Sequence, residues 1–405
     1  MNKWQSLYQF FMYQVKLHLS KRNKVKYFAG GKKKLISVSL VTLSIILLSS
    51  CQKKADSNNT NTADNDTTGS QTQTIGETTK EPVSTNSETG QESQGTLSIK
   101  DYYPFQDNVV YRYEGSGNEY ASYDIYTDYL KGERIQLRSN NGGSETVRVL
   151  ELKDGLLTQV LLKEECYYRE NLLDSSDGQG EVLLKEPLTP GTEWTLSDNR
   201  KRYISGSNVS VTTPSGTYEA LEVTTEGNND KLTDYYAPGV GLVKSVYTTS
   251  DAEVVSSLSK IEQDVPFKQR VRFFYPDGDK EVIYGVDKEL SFQTNDITSS
   301  KLADALKEIA ENKGAPVISI KTQLKDLYLN KDNIVYVDFS KELVSDMNAG
   351  AAYENRILQC IANTLGTYYG VDQVCLTVEG KPYESGHVTM KEGETIKVNL
   401  KEVVK

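Results

Sequence analysis

Histidine is nearly missing from this chain, with two in 405 residues, His18 and His387. Chemistry that needs an imidazole base or a zinc ion requires partners close to the histidine. His387 lies in YESGHVTMKEG with no cysteine pair nearby, so it reads as structural or solvated. Tryptophan is confined to Trp4 and Trp194. A carbohydrate platform usually needs more, and Trp194 reads as core. No glycine-rich phosphate loop is present. Gly239-Val240-Gly241 lacks the helix that a dinucleotide fingerprint requires and reads as a turn. Long apolar runs are absent too, except for one near the start.

Hydrophobic residues make up 37% of the chain and the mean hydropathy is −0.53, both low for a protein that is compact throughout. Part of it is therefore expected to stay unfolded. Charge is unevenly placed. Residues 1–50 hold nine Lys/Arg and no Asp/Glu, which leaves 37 basic against 56 acidic residues beyond Ser50, a net charge of −19. Such a body is repelled by nucleic-acid phosphates, which argues against nucleic acid as a partner. It also stands off from anionic lipid unless something covalent holds it.

The apolar run is LISVSLVTLSIILL, residues 35–48, and it follows Lys32-Lys33-Lys34. As a helix these residues span about 21 Å, short of the roughly 30 Å hydrocarbon core, so a secretory leader fits better than a spanning helix. The run ends in Leu48-Ser49-Ser50-Cys51, which resembles the bacterial lipobox: an aliphatic residue, two small residues and the cysteine that receives lipid. Residues 1–50 are then a lipoprotein signal peptide, Cys51 is the lipid-attachment residue and new N-terminus, and two acyl chains give stable anchoring. The expected location is the outer face of the cytoplasmic membrane.

Residues 51–98 read as a disordered tether, being almost all Ser, Thr, Asn, Gly, Gln, Asp and Glu after the cysteine. As a flexible coil it spans roughly 38 Å, and fully extended it reaches about 160 Å. That brings the body within range of the cell wall. DNDTTG at 64–69 begins like a calcium loop, but position twelve is Ile75 where a bidentate Glu belongs.

From 99 to 263 the pattern is β. Short Tyr/Val/Thr/Leu runs such as VVYRYEG and YEALEVTTEG are broken by Gly/Asn/Asp/Ser clusters, and NNGG at 140–143 reads as a hairpin turn. The expectation is an antiparallel meander curved into a half-barrel or sandwich. Tyrosine pairs at 102–103, 167–168 and 235–236 suit half-buried positions on sheet faces, or stacking on a sugar or a protein partner.

From 268 to 405 the order predicted is ββαββαββ, an α+β layer of helices on a sheet. RVRFFYPD opens it and precedes a Pro-Asp-Gly turn. Leu302, Leu306, Ile309 and Ala310 share one face of a helix that Gly314 and Pro316 close. LKDLYLNKDNIVYVDFS reads as a hairpin. A second helix over 351–365 presents Ile357, Leu358, Ile361, Ala362 and Leu365, with Gly366 near its end, and strands follow at 373–378 and 395–400. Blocks RVRFFYPD, IVYVDFSKEL and ENRILQCIANTLGTYYGVDQVCLTVEGK, in that order, resemble the GerMN domain, named for sporulation and spore-germination proteins of Gram-positive bacteria. The resemblance implies a secreted or lipid-anchored protein of a spore-forming host. It also implies a role in assembly, through a protein partner or a second copy, and no catalytic residues. The V-D-F-S block contains Asp338, read as a cap at the hairpin end, or else as a contact for a partner. Cys360 and Cys375 stand either bonded or buried as small hydrophobes, and Cys166 has no evident partner.

The expectation from sequence is a non-catalytic lipoprotein without metal or cofactor that acts by binding or assembly in sporulation, germination or envelope processes. Two alternatives are a carboxylate-based wall hydrolase in the middle region and a receptor for a glycan or small solute.

Overall fold

A computed structural model describes residues 97–404, apart from Gln179, Asp279 and 314–316. Leu48, Ser49, Ser50 and Cys51, the tether up to residue 96, DNDTTG and the Gly314/Pro316 stop all lie outside the described residues.

Helix α1 (Ile99–Tyr102) leads into a sheet of twelve strands: β1 (Val109–Ser116), β2 (Tyr123–Lys131), β3 (Arg134–Asn140), β4 (Glu145–Lys153), β5 (Leu156–Glu164), β6 (Glu181–Lys185), β7 (Glu193–Thr195), β8 (Lys201–Thr213), β9 (Gly216–Glu226), β10 (Asp230–Ala237), β11 (Gly241–Thr249) and β12 (Glu253–Gln263). Its spatial order is β6-β5-β4-β3-β2-β1-β12-β11-β10-β9-β8-β7, antiparallel throughout. Two meanders of six strands thus meet where β1 pairs with β12, and β6 and β7, adjacent in sequence, become the two edges. The sheet curls until those edges nearly meet, a barrel almost closed. Side chains close the seam. Trp194 Nε1 and Arg202 Nη1 both donate to Val182 O, at 3.0 and 2.9 Å, and Arg202 Nη2 donates to Glu181 Oε1 at 2.7 Å. Trp194 is accordingly half-buried on an edge strand and not in the core, because its indole N–H is used to bridge the seam.

Local sequence explains the tight turns. Asp154 and Gly155 take φ of 52° and 69° in the two-residue loop from β4 to β5, the left-handed pair such hairpins require. The NNGG stretch leads from β3 into β4 as expected, and Gly239 sits in the β10–β11 turn. Inside, Ile135, Leu150, Leu157, Leu184, Ile204, Leu221 and Leu258 pack with Ile99 and Tyr102 of α1, which plugs the barrel. Fully burying one such side chain stabilises by about 1.5–3 kcal/mol.

The C-terminal region follows after three residues. Strands β13 (Phe267–Pro276) and β14 (Ile283–Phe292) form a hairpin, and α2 (Thr298–Lys313) comes next. Then come β15 (Leu324–Leu329), β16 (Val335–Phe339), the short α3 (Glu342–Ser345), α4 (Ala351–Tyr369), β17 (Gln373–Val378), β18 (Lys381–Pro382), β19 (Ile396–Lys397) and β20 (Val403–Val404). β16 and β17 are parallel neighbours joined through α4. Gly366 does not end α4; the helix runs on to Tyr369 and stops at Gly370, which takes the left-handed φ of 70°. Gly366 is instead a close approach, since a Cβ there would lie 2.2 Å from Val398 Cγ2 and 2.9 Å from Val371 O. The strand expected over 395–400 shrinks to β19.

One core serves both regions. Val147 and Val149 of β4, Val160 of β5 and Tyr168, Leu172 and Leu173 of the β5–β6 loop pack in the same cluster as Phe273, Phe274, Leu306, Ile361 and Leu365. The outer face of β2–β5 is therefore covered by the C-terminal region, while β4 turns Leu150 and Leu152 to the barrel interior.

Candidate functional site

Two places concentrate polar chemistry. The first is the weld between barrel and C-terminal region. Arg138 on β3 is fully buried, and its Nε donates to Asp128 Oδ2 at 3.1 Å. Its Nη1 donates to Glu145 Oε2 at 2.8 Å and Cys166 O at 2.6 Å, and its Nη2 donates to Tyr168 O at 2.8 Å. Arg169, equally buried, lies over Tyr129 and Phe292 with its guanidinium carbon 4.1 and 4.9 Å from the ring centres. It donates to Tyr129 Oη (2.7 Å), Asp128 O (2.7 Å), Gln293 O (3.1 Å), Thr298 Oγ1 (3.1 Å) and Asp296 O. Asp128 faces both guanidiniums. Buried charges survive only when paired and hydrogen-bonded, and here almost every donor has a target. The Glu145 carboxyl is pushed up by burial, with Arg138 opposing the shift.

The second is a cavity of about 60 Å³ in the barrel. Tyr103 and Gln106 before β1, Tyr111 and Tyr113 on β1, Tyr123 on β2 and Arg148 on β4 line it, with Leu242 at the start of β11. Tyr113 and Tyr123 stack with ring centres 4.6 Å apart, and Tyr113 Oη donates to Leu242 O at 2.7 Å. Burial raises the Tyr103 and Tyr123 hydroxyls, and Arg148 opposes both shifts.

Other carboxylates are tied into the fold. Glu354 on α4, 2% exposed, accepts from Tyr383 Oη at 2.7 Å and from Ser385 Oγ. Asp338 Oδ1 accepts from Thr377 Oγ1 at 2.7 Å and Gly380 N at 2.8 Å, so it caps the β17–β18 turn of the neighbouring strand pair and not the end of its own hairpin. His387 is exposed in a loop. Cys166, Cys360 and Cys375 are free and buried, and burial pushes all three thiols up, away from thiolate chemistry. On the sheet face turned away from α4, Tyr328 and Tyr336 stack with ring centres 5.4 Å apart and planes 5° from parallel; Tyr328 is 40% exposed.

Sequence reasoning missed Asp128, Arg138, Arg148 and Arg169. The signal was present in part. In RIQLRSN and ETVRVLEL an arginine sits among apolar residues of a strand, where alternation turns it to a buried face.

Residues 272–384 match the family model described as Germane, sporulation and spore germination. This segment is a Germane domain. It runs from the middle of β13 to the start of the β18–β19 loop and includes Glu354, Asp338 and the Tyr328–Tyr336 pair. No curated protein matches the chain. Solved structures with similarity include the first GerMN domain of the sporulation protein GerM from Bacillus subtilis, at 21% identity over 30% of this chain and 93% of that one, with a TM-score of 0.24. The tandem GerMN domains of the same protein align at 20% identity over 31% and 45%, with a TM-score of 0.23. A protein with a YmcC-like fold from Bacteroides fragilis aligns at 13% identity over 40% and 98%, with a TM-score of 0.25. Scores this far below one-half bear neither on the fold nor on the role of this chain. No helix among the described residues is long and apolar enough to cross a membrane.

Proposed function

We propose that this protein is a lipid-anchored, extracytoplasmic binding and assembly factor of sporulation, germination or envelope processes, and that it does not catalyse. The observation that carries the reading is the Germane domain at 272–384, set on a body that follows a basic-apolar leader and Leu48-Ser49-Ser50-Cys51. Supporting it, the carboxylates with the most burial, Asp128 and Glu354, are committed to structural hydrogen bonds and ion pairs. Lipid on Cys51 holds an acid-rich body at the membrane, the tether lets it range outward, and the Germane domain meets a protein partner.

Crosslinking and pull-down from sporulating and from growing cells test the assembly role. Recovery of a partner is the expected result, and recovery of none in either state overturns it. The anchor has its own test: Cys51→Ala is expected to release the protein from the membrane fraction, and mass spectrometry of the native protein should find diacylglycerol on Cys51. Release of muropeptides from peptidoglycan by the purified protein would replace this reading with that of a hydrolase.

A further inference from the structure

The barrel cavity contains a cation that the fold does not use. The other arginines on the barrel strands, half-buried Arg112 and Arg134 and buried Arg138 and Arg202, have donors taken by carboxylates, carbonyls and hydroxyls. Arg148 is half-buried, lines the cavity, and has neither a hydrogen bond nor an ion pair among the described residues. Asp234 is close enough for the two charges to influence each other, yet its carboxylate accepts from Ser245 Oγ at 2.6 Å and forms no ion pair with Arg148. A guanidinium presents a planar fork of donors suited to a carboxylate, and leaving it unmatched in a low-dielectric site is unfavourable.

The surroundings set the rest of the ligand. Tyr111, Tyr113 and Tyr123 give an aromatic wall, Ile125 and Leu137 an aliphatic one, and about 60 Å³ is room for roughly four water-sized spheres. The wall is rigid, because β4 lies inside the sheet between β3 and β5 and Tyr113 is tied to Leu242 O. The body is strongly acidic, so an anion would approach it only where a cation is held for the purpose.

We infer that the barrel binds a short organic monocarboxylate in this cavity, its carboxylate on the Arg148 guanidinium and its short apolar body against Tyr113 and Tyr123. The site is independent of the Germane domain's assembly role: the ligand is a small solute and the residues that hold it lie on β1, β2 and β4.

The test uses the full chain purified in detergent, titrated with acetate, acetamide and inorganic phosphate by calorimetry and thermal shift. Acetate is expected to bind saturably with a dissociation constant of about 1 mM and to raise the Tm with the logarithm of its concentration. Acetamide, the same shape without the charge, should bind at least about tenfold more weakly, a difference of about 1.4 kcal/mol. Arg148→Gln should abolish the acetate response while keeping the Trp194 emission of the folded barrel. Should that variant unfold, Arg148→Lys, which keeps the charge and loses the fork, should weaken acetate binding, and unchanged binding overturns the proposal. No acetate binding overturns it as well. Equal binding of acetamide removes the role of Arg148, and phosphate binding as tightly as acetate removes that of the apolar wall; either result also overturns it.

Discussion

In the barrel each strand pairs with its neighbour in sequence everywhere except at the β1–β12 junction and the β6/β7 seam. In the C-terminal region the central pair, β16 and β17, is parallel and depends on the α4 crossover between them. Turn chemistry at positions such as Asp154-Gly155 sets the barrel's registers locally, whereas the β16–β17 pair needs α4, which is also seated on β13 of a separate three-stranded sheet, as where Phe274 N donates to Thr364 Oγ1 at 3.1 Å. Their interiors differ as well. The barrel keeps an unmatched Arg148, while the buried Glu354 of the C-terminal region is satisfied twice. The two regions are nonetheless not separate energetically, because the outer face of β4 and β5 supplies part of the C-terminal core. A region that looks autonomous by its pattern can thus rest on its neighbour for burial.

The weld is where that comparison breaks most easily. Arg138→Ala strands Asp128 and Glu145 without their main cation, and it is expected to destabilise the whole body by about 3–5 kcal/mol. Calorimetry should show one transition at a lower Tm; two resolved transitions would mean that the regions melt separately. Leu306→Ala, deep in the shared core on α2, should cost about 2–5 kcal/mol. Trp194, far along the chain in the barrel seam, gives the sharper readout. If the core is truly common, its fluorescence midpoint in urea falls with that of the C-terminal region.

Gly366→Ala tests the C-terminal packing alone, since its Cβ would press on Val398 and on the Val371 carbonyl. A loss of about 1–3 kcal/mol is expected in chemical denaturation. Smallest is a titration effect. Burial raises the Glu170 carboxyl in the folded state, against the hydrogen bond it accepts from Leu329 N. The folded protein therefore binds that proton more tightly than the unfolded chain does. The resulting stability is complete below the ordinary carboxylate range and is lost as pH rises through the raised value. Glu170→Gln should flatten that part of the stability–pH curve, and an unchanged curve would rule Glu170 out as its source.

Much of the architecture could be read from the residues. Val335, Val337 and Phe339 alternate as a strand with one buried face, and Ile357, Leu358, Ile361 and Leu365 recur at helical spacing, because burial on one side imposes those periods. Closure of the barrel was not legible, since the β1–β12 pairing leaves no local mark in either strand. Nor was the end of α4. Gly366 and Gly370 look alike in sequence, and only the approach of Val398 and the left-handed turn tell them apart. The arginines were visible as charges in apolar strands, but whether each would be matched, as Arg138 is, or left facing a cavity, as Arg148 is, depends on partners from distant strands.

The junction that places Val109 opposite Gln263 also dictates a timetable. A chain that emerges amino end first delivers β1 first and must wait for the last strand of the barrel before the ring has anything to close on. Until then six strands present an unpaired edge, and long-range closure of this kind is slow. Fragments that stop short of Glu253 are expected to be cut rapidly by protease, and those that reach Gln263 to resist, so the barrel can take its final shape only once its twelfth strand has arrived.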